Sequence, residues 1–127
     1  MTVDEMRLAL VTVLLALALV PAAQAGPLRP DPVAVGVGAR EFSLSLYRPA
    51  VKAGSAVRFN LTNFGEDGHD LAVLTPKGTV AGRIDEVRGF GGRGQVEVRL
   101  RRKGRYTLLC TVAGHAKLGM RARLRVR

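Results

Sequence analysis

One short stretch near the end of the chain holds the residues with the clearest chemical potential. In CTVAGHAKLGM, residues 110–120, a cysteine, a histidine and a methionine recur at intervals of five positions. Cys110 is the only cysteine of the chain, His115 is one of two histidines, and Met120 is the last methionine. Thiolate and thioether groups suit Cu(I), and imidazole suits copper in both oxidation states. The spacing therefore predicts a loop that binds copper.

Each of these residues, taken alone, supports a simpler interpretation. A free cysteine is commonly a small buried hydrophobic side chain, and a lone methionine more often packs in a core. A copper site of two histidines, one cysteine and a weakly bound methionine also needs a second histidine. The other histidine, His69, lies in NFGEDGHDLAV, immediately before a predicted strand. A sandwich of strands could bring it to the end at which Cys110, His115 and Met120 lie.

The N-terminus predicts export. Residues 8–20 form an almost unbroken apolar run, and the small residues of PAAQAG follow. This pattern is typical of a secretory signal peptide, here residues 1–25 with cleavage after Ala25. The run of 13 residues is shorter than the roughly 20 that a membrane-spanning helix needs, so we expect no stable membrane insertion. Acidic residues before Met6 are unusual in such a signal, and starts at Met1 and at Met6 both remain open.

The remaining chain, residues 26–127, is long enough for one small domain and too short for two. The whole sequence carries 20 basic and ten acidic residues, a net charge of +10. Such a balance favours acidic partners, which include a negatively charged protein face, a lipid surface or nucleic acid. For a protein predicted to be periplasmic or secreted, nucleic acid is the least accessible of these, and we expect none to bind.

The pattern of apolar residues predicts strands throughout this domain. Several segments alternate apolar and polar side chains, and glycine- and proline-rich turns separate them. The predicted strands are EFSLSLYR (41–48), AVRFNLTN (56–63), HDLAVLT (69–75), QVEVRLR (95–101), RYTLLCTV (105–112) and RARLRVR (121–127). Residues 26–38 are interpreted as a leader and residues 39–127 as the domain. The predicted fold is all-β, a two-sheet sandwich with Greek-key connections.

The motifs together resemble those of the cupredoxins, the small blue copper proteins that include plastocyanin, azurin, auracyanin and rusticyanin. The matching features are GHDLAV around His69, the segment GRYTLLC, and the pattern Cys-x4-His-x4-Met. The two four-residue intervals resemble the auracyanin and rusticyanin pattern more than that of plastocyanin. The resemblance spans residues 36–127. It implies one copper ion in a type 1 site, with His69, Cys110 and His115 as in-plane ligands and Met120 as the axial ligand.

The resemblance also implies a function. Members of this family carry single electrons by cycling between Cu(I) and Cu(II), so we expect an electron carrier and not an enzyme. The exposed edge of His115 would be the electron port, and basic side chains around it would favour a redox partner with an acidic docking face, such as a cytochrome or an oxidase. We expect a monomer. Two alternatives remain open, a copper delivery or storage protein of the same fold and a non-redox interaction module.

Another glycine-rich motif has a structural explanation. GFGGRG, residues 89–94, satisfies Gly-x-Gly-x-x-Gly, but a dinucleotide site requires a strand before this motif and a helix after it. The segment that follows, QVEVRLR, has the pattern of a strand. The motif is therefore interpreted as a turn.

Overall fold

The computed structural model describes residues 21–127, and the signal-peptide prediction falls mainly on residues 1–20, outside this range. Residues 21–32 have no regular secondary structure. None of the described residues forms a helix that is long and apolar enough to cross a membrane. The strands found in residues 21–127 are β1 Val33–Arg40, β2 Ser43–Leu46, β3 Ala50–Val51, β4 Ser55–Asn63, β5 His69–Leu74, β6 Val80–Val87, β7 Arg93–Leu100, β8 Gly104–Leu109 and β9 Arg121–Val126.

The strands form two sheets that pack face to face. The first sheet has the order β2-β1-β4-β7, and the second has the order β3-β9-β8-β5-β6. Two pairs, β1 with β4 and β3 with β9, are parallel, and the other pairs are antiparallel. Since parallel neighbours cannot be joined by a hairpin, the chain crosses between the sheets. The predicted all-β sandwich is confirmed.

The core lies between the inner faces of the sheets. In β4, alternate residues are buried, as the sequence pattern predicts. Phe59 and Leu61 from this strand are almost completely inaccessible to solvent, as are Leu108 of β8 and Leu124 of β9. The polar residues between them face outward, which is the period-two arrangement of a half-buried strand.

Three strands and one side chain differ from the predictions. The short strand β3, Ala50–Val51, lies outside the predicted strands. Strand β1 begins at Val33, inside the segment interpreted as a leader, and pairs with both β2 and β4. Strand β6 was not predicted, because on this sheet edge Ile84 alone is fully buried and no alternation results. Phe42, expected on the inner face of a strand, precedes β2 and is 37% exposed.

Candidate metal centre

The pairing of β5 with β8 brings the first histidine next to the cysteine. These strands are antiparallel, with Ala72 opposite Leu109. His69 is the first residue of β5, and Cys110 directly follows β8. Because antiparallel neighbours run in opposite directions, the start of β5 and the end of β8 lie at the same end of the sheet. Both side chains are completely buried there.

Three donor atoms converge at this end of the sandwich. The Nδ1 atoms of His69 and His115 are 3.2 Å apart. The sulfur of Cys110 lies 4.0 Å from Nδ1 of His69 and 3.7 Å from Nδ1 of His115. All three ligand atoms lie within 4.8 Å of one another. Two imidazoles and one thiol are the donor set of an electron-transfer copper site, so the residues present fit a copper ion.

The loop from Cys110 to Met120 closes on itself. The backbone N–H of Cys110 donates to the carbonyl of Met120, 3.2 Å away, and the N–H of Met120 donates to the carbonyl of His115 at 3.1 Å. Gly114 and Gly119 adopt φ values of 81° and 120°, in the left-handed region that favours glycine. Met120 is completely buried in the same apolar cluster as Cys110. Its role as an axial ligand stays a prediction.

Glu41 fixes the orientation of the His69 ring. Its Oε1 lies 2.8 Å from Nε2 of His69. Hydrogen bonds from the backbone of Asp67 and Glu66 lower the pKa of Glu41 to about 2, against partial desolvation, and His69 adds to the lowering. The carboxylate is thus ionised at neutral pH and can only accept hydrogen bonds. The Nε2–H group of His69 therefore donates a hydrogen bond to Glu41. In the neutral ring, this leaves the lone pair of Nδ1 facing Cys110 and His115.

A buried asparagine holds the loop that presents His69. The side-chain amide of Asn63 donates to the carbonyls of Asp67, at 2.7 Å, and Val87, at 3.2 Å. Its Oδ1 accepts the backbone N–H of Gly65 at 2.9 Å. Asn63 is completely inaccessible to solvent. One side chain therefore satisfies two backbone groups in the turn between β4 and β5 and one at the end of β6.

Asp70 links the two ligand-bearing segments. Residue 70, directly after the first histidine, is an aspartate. Its carboxylate accepts hydrogen bonds from the backbone N–H and the hydroxyl of Thr111, the residue after the cysteine. The link between the start of β5 and the end of β8 is therefore made by a carboxylate.

Burial raises the pKa of the Cys110 thiol above its ordinary value. The backbone N–H groups of Asp70 and Val112 act in the opposite direction. A metal ion must displace the thiol proton, because the thiolate is the ligand.

Around His115 the surface is partly apolar. The ring of Phe42 packs edge to face against His115, with centroids 5.1 Å apart, and Leu118 is 62% exposed. His115 itself is 9% exposed. The expected ring of basic side chains is mixed in sign, because Asp67 Oδ2 lies 3.9 Å from Nε2 of His115. Lys117 is exposed on the same loop.

Sequence reasoning predicted the three residues that converge but missed their supports, Glu41, Phe42 and Asn63. Glutamate, phenylalanine and asparagine are common residue types, and the contacts of Glu41 with His69 and of Phe42 with His115 cross long sequence separations. Glu41 is 28 positions from His69. One signal was present in the sequence. Asn63 continues the apolar face of an alternating strand, and an amide buried at such a position must have hydrogen-bond partners.

Several solved structures resemble this one. Auracyanin B superposes with a TM-score of 0.61 at 20% sequence identity, covering 79% of this chain and 93% of that chain. Auracyanin A, a blue copper protein from Chloroflexus aurantiacus, gives a TM-score of 0.58 at 15% identity, covering 76% of this chain and 100% of that one. Reduced rusticyanin gives 0.55 at 18% identity, covering 77% and 82%. The chain has the cupredoxin fold. At these identities the likeness establishes the fold alone.

A larger protein contains a similar domain. A multicopper oxidase from Campylobacter jejuni superposes on 81% of this chain with a TM-score of 0.56 and 13% identity, but only 32% of that chain is covered. The cupredoxin fold is thus found both in small proteins and as a part of an oxidase. No protein-family model and no curated protein sequence matches this chain.

Asn63→Ala should destabilise the protein by about 1–3 kcal/mol, since it leaves buried backbone groups without partners. Chemical denaturation measures the change in the free energy of unfolding. Asn60→Ala is the matched control, because Asn60 lies on the same strand and is only partly buried. Amide exchange should accelerate at Gly65 in the Asn63 variant. Equal stabilities of the two variants would contradict the role assigned to Asn63.

Proposed function

We propose that this chain is an exported type 1 copper protein that carries single electrons by cycling between Cu(I) and Cu(II). His69 and His115 would bind one copper ion through Nδ1, Cys110 through its sulfur, and Met120 would be the weak axial ligand. The observation that carries this proposal is the convergence of two Nδ1 atoms and one sulfur within 4.8 Å. It occurs at the end of a fold shared with auracyanin A, itself described as a blue copper protein.

The protein's own contribution is to hold the ligands still. When bound, copper supplies the change of oxidation state. The sandwich buries His69, Cys110 and Met120 completely, and hydrogen bonds donated to the carboxylates of Glu41 and Asp70 fix the segments that carry His69 and Cys110. Ligands that are already positioned need little rearrangement when the charge on the metal changes. This arrangement suits rapid outer-sphere electron transfer.

Electrons would enter and leave through His115. It is the most exposed of the three donors, and Phe42 and Leu118 provide apolar surface beside it. A partner could pack against this surface and exclude water from the path between the redox centres. We propose a periplasmic or secreted location for this exchange, in agreement with the predicted signal peptide.

The partner would be a redox protein with an acidic docking face. Since the rim of His115 includes Asp67 as well as basic residues, attraction would come mainly from the charge of the whole molecule. At the opposite end of the sandwich, three basic side chains line one cleft, Lys77, Arg102 and Lys103. Charge of this kind increases the rate of encounter and is screened by salt.

A delivery or storage protein of the same fold is the second candidate. Delivery requires that copper leaves the site, whereas His69 and Cys110 are completely buried and His115 is nearly so. This burial favours the electron carrier. The oxidase that contains a similar domain is about three times longer than the matched region. Its activity belongs to that longer protein, so we do not propose catalysis for this chain.

Adding Cu(II) to the protein should produce intense visible absorption from charge transfer between the Cys110 thiolate and copper. Cys110→Ser should abolish this absorption, because an alcohol replaces the thiolate. Thr107→Ser, a conservative change on the strand before the cysteine, should retain it. Circular dichroism verifies that both variants are folded. Colourless wild-type protein, or a blue Cys110→Ser variant, would contradict the proposed site.

Electron exchange with small charged reagents should reveal the steering charge. Oxidation of the reduced protein by the anion hexacyanoferrate(III) should slow as salt is added, because screening weakens its attraction to a basic molecule. Oxidation by a cationic cobalt(III) complex should accelerate. Stopped-flow absorption measures both rates. Rates that are independent of ionic strength for both reagents would contradict electrostatic steering of an acidic partner.

A further inference from the structure

Glu41 is not one of the three donor residues, but it contacts one of them, His69. It lies in the turn between β1 and β2, in the opposite sheet from His69. Its Oε1 contacts Nε2 of His69 at 2.8 Å, on the side of the ring away from the donor cluster. His69 is completely buried, whereas the side chain of Glu41 is 27% exposed. The carboxylate thus lies between the buried His69 ring and solvent.

The carboxylate is itself held in place. It accepts the backbone N–H of Glu66 at 3.0 Å and that of Asp67 at 2.9 Å. Gly65 leaves space for it, because a Cβ at this position would lie only 2.3 to 2.6 Å from the carboxyl atoms of Glu41. Two backbone donors and one imidazole therefore converge on Glu41. Its position is determined by the loop and not by the flexibility of its side chain.

A carboxylate at this position has two physical consequences for the imidazole. By accepting a hydrogen bond from the Nε2–H group, it selects the tautomer whose Nδ1 lone pair faces the other donors. It also places a full negative charge against the outer edge of the ring, which raises the basicity of Nδ1. A more basic ligand and a nearby anion stabilise the more highly charged metal ion, so Cu(II) gains more than Cu(I).

We propose that Glu41 is a positioning residue that orients His69 and shifts the copper site toward the oxidised state, giving it a lower reduction potential than the same site would have without the carboxylate. The inference rests on the proposed function, since it concerns the same copper ion.

Glu41→Gln is the direct test, because it keeps the size of the side chain and removes its charge. In the copper-loaded protein we expect the ratio of Cu(II) to Cu(I) affinity to fall about tenfold, at the lower end of effects seen for outer partners of metal-bound histidines. For a one-electron couple this raises the reduction potential by about 59 mV. Redox titration followed by visible absorption measures the shift. An unchanged potential would overturn the proposed influence on the copper.

Glu66→Gln is the matched control. Glu66 is exposed, lies in the same loop and carries the same charge, but only its backbone contacts Glu41. Its removal should change the potential much less than removal of the Glu41 charge. Equal shifts in the two variants would show a general effect of net charge and overturn the specific role of Glu41.

A second measurement separates this inference from the proposed function. Nitrogen-15 NMR of the metal-free protein should find the proton of His69 on Nε2 in the wild type and a mixture of tautomers in Glu41→Ala, which has no side-chain acceptor. Glu41→Asp should restore the preference in part. This result would support the orienting role even if copper did not bind, in which case the proposed function alone would fail. An identical Nε2-protonated ring in wild type and Glu41→Ala would overturn the orienting role.

Discussion

The metal centre depends on the antiparallel register of β5 and β8. With Ala72 opposite Leu109, the inward-facing positions of the two strands continue to His69 and Cys110 at one end of the sheet. Since side chains alternate between the faces of a strand, a slip by one residue would turn the thiol or the imidazole away from the core. The apolar residues buried between the sheets fix this register, and they thereby determine which polar groups meet.

The register buries polar groups at the metal end of the sandwich, and these groups need hydrogen-bond partners. A buried histidine needs a partner for its second nitrogen, and Glu41 supplies one from the opposite sheet. The side-chain amide of Asn63 binds two backbone groups of the turn before His69 and the carbonyl of Val87 at the end of β6. Asp70 connects the start of β5 to the residue after Cys110. These contacts make the site stiff, which is the property that electron transfer requires.

The donors could be predicted from the sequence because cysteine, histidine and methionine are scarce in residues 26–127 and occur at regular intervals. Strands β4, β7, β8 and β9 were predictable because one face of each is buried in a periodic pattern, and β5 because it is a nearly continuous apolar run. Strand β6 was not, since Ile84 alone among its residues is fully buried. The contacts of Glu41 with His69 and of Asn63 with Val87 depend on which loops the fold brings together. No local pattern of residues encodes those contacts, and the three-dimensional structure was needed to find them.

The central claim is that two imidazoles and the Cys110 thiolate bind the same copper ion. X-ray absorption at the copper edge of the loaded protein tests this claim directly, because it identifies the elements bound to the metal. We predict two nitrogen neighbours and one short bond to sulfur, with that sulfur absent in Cys110→Ser. A copper ion surrounded only by nitrogen and oxygen in the wild-type protein would contradict the account.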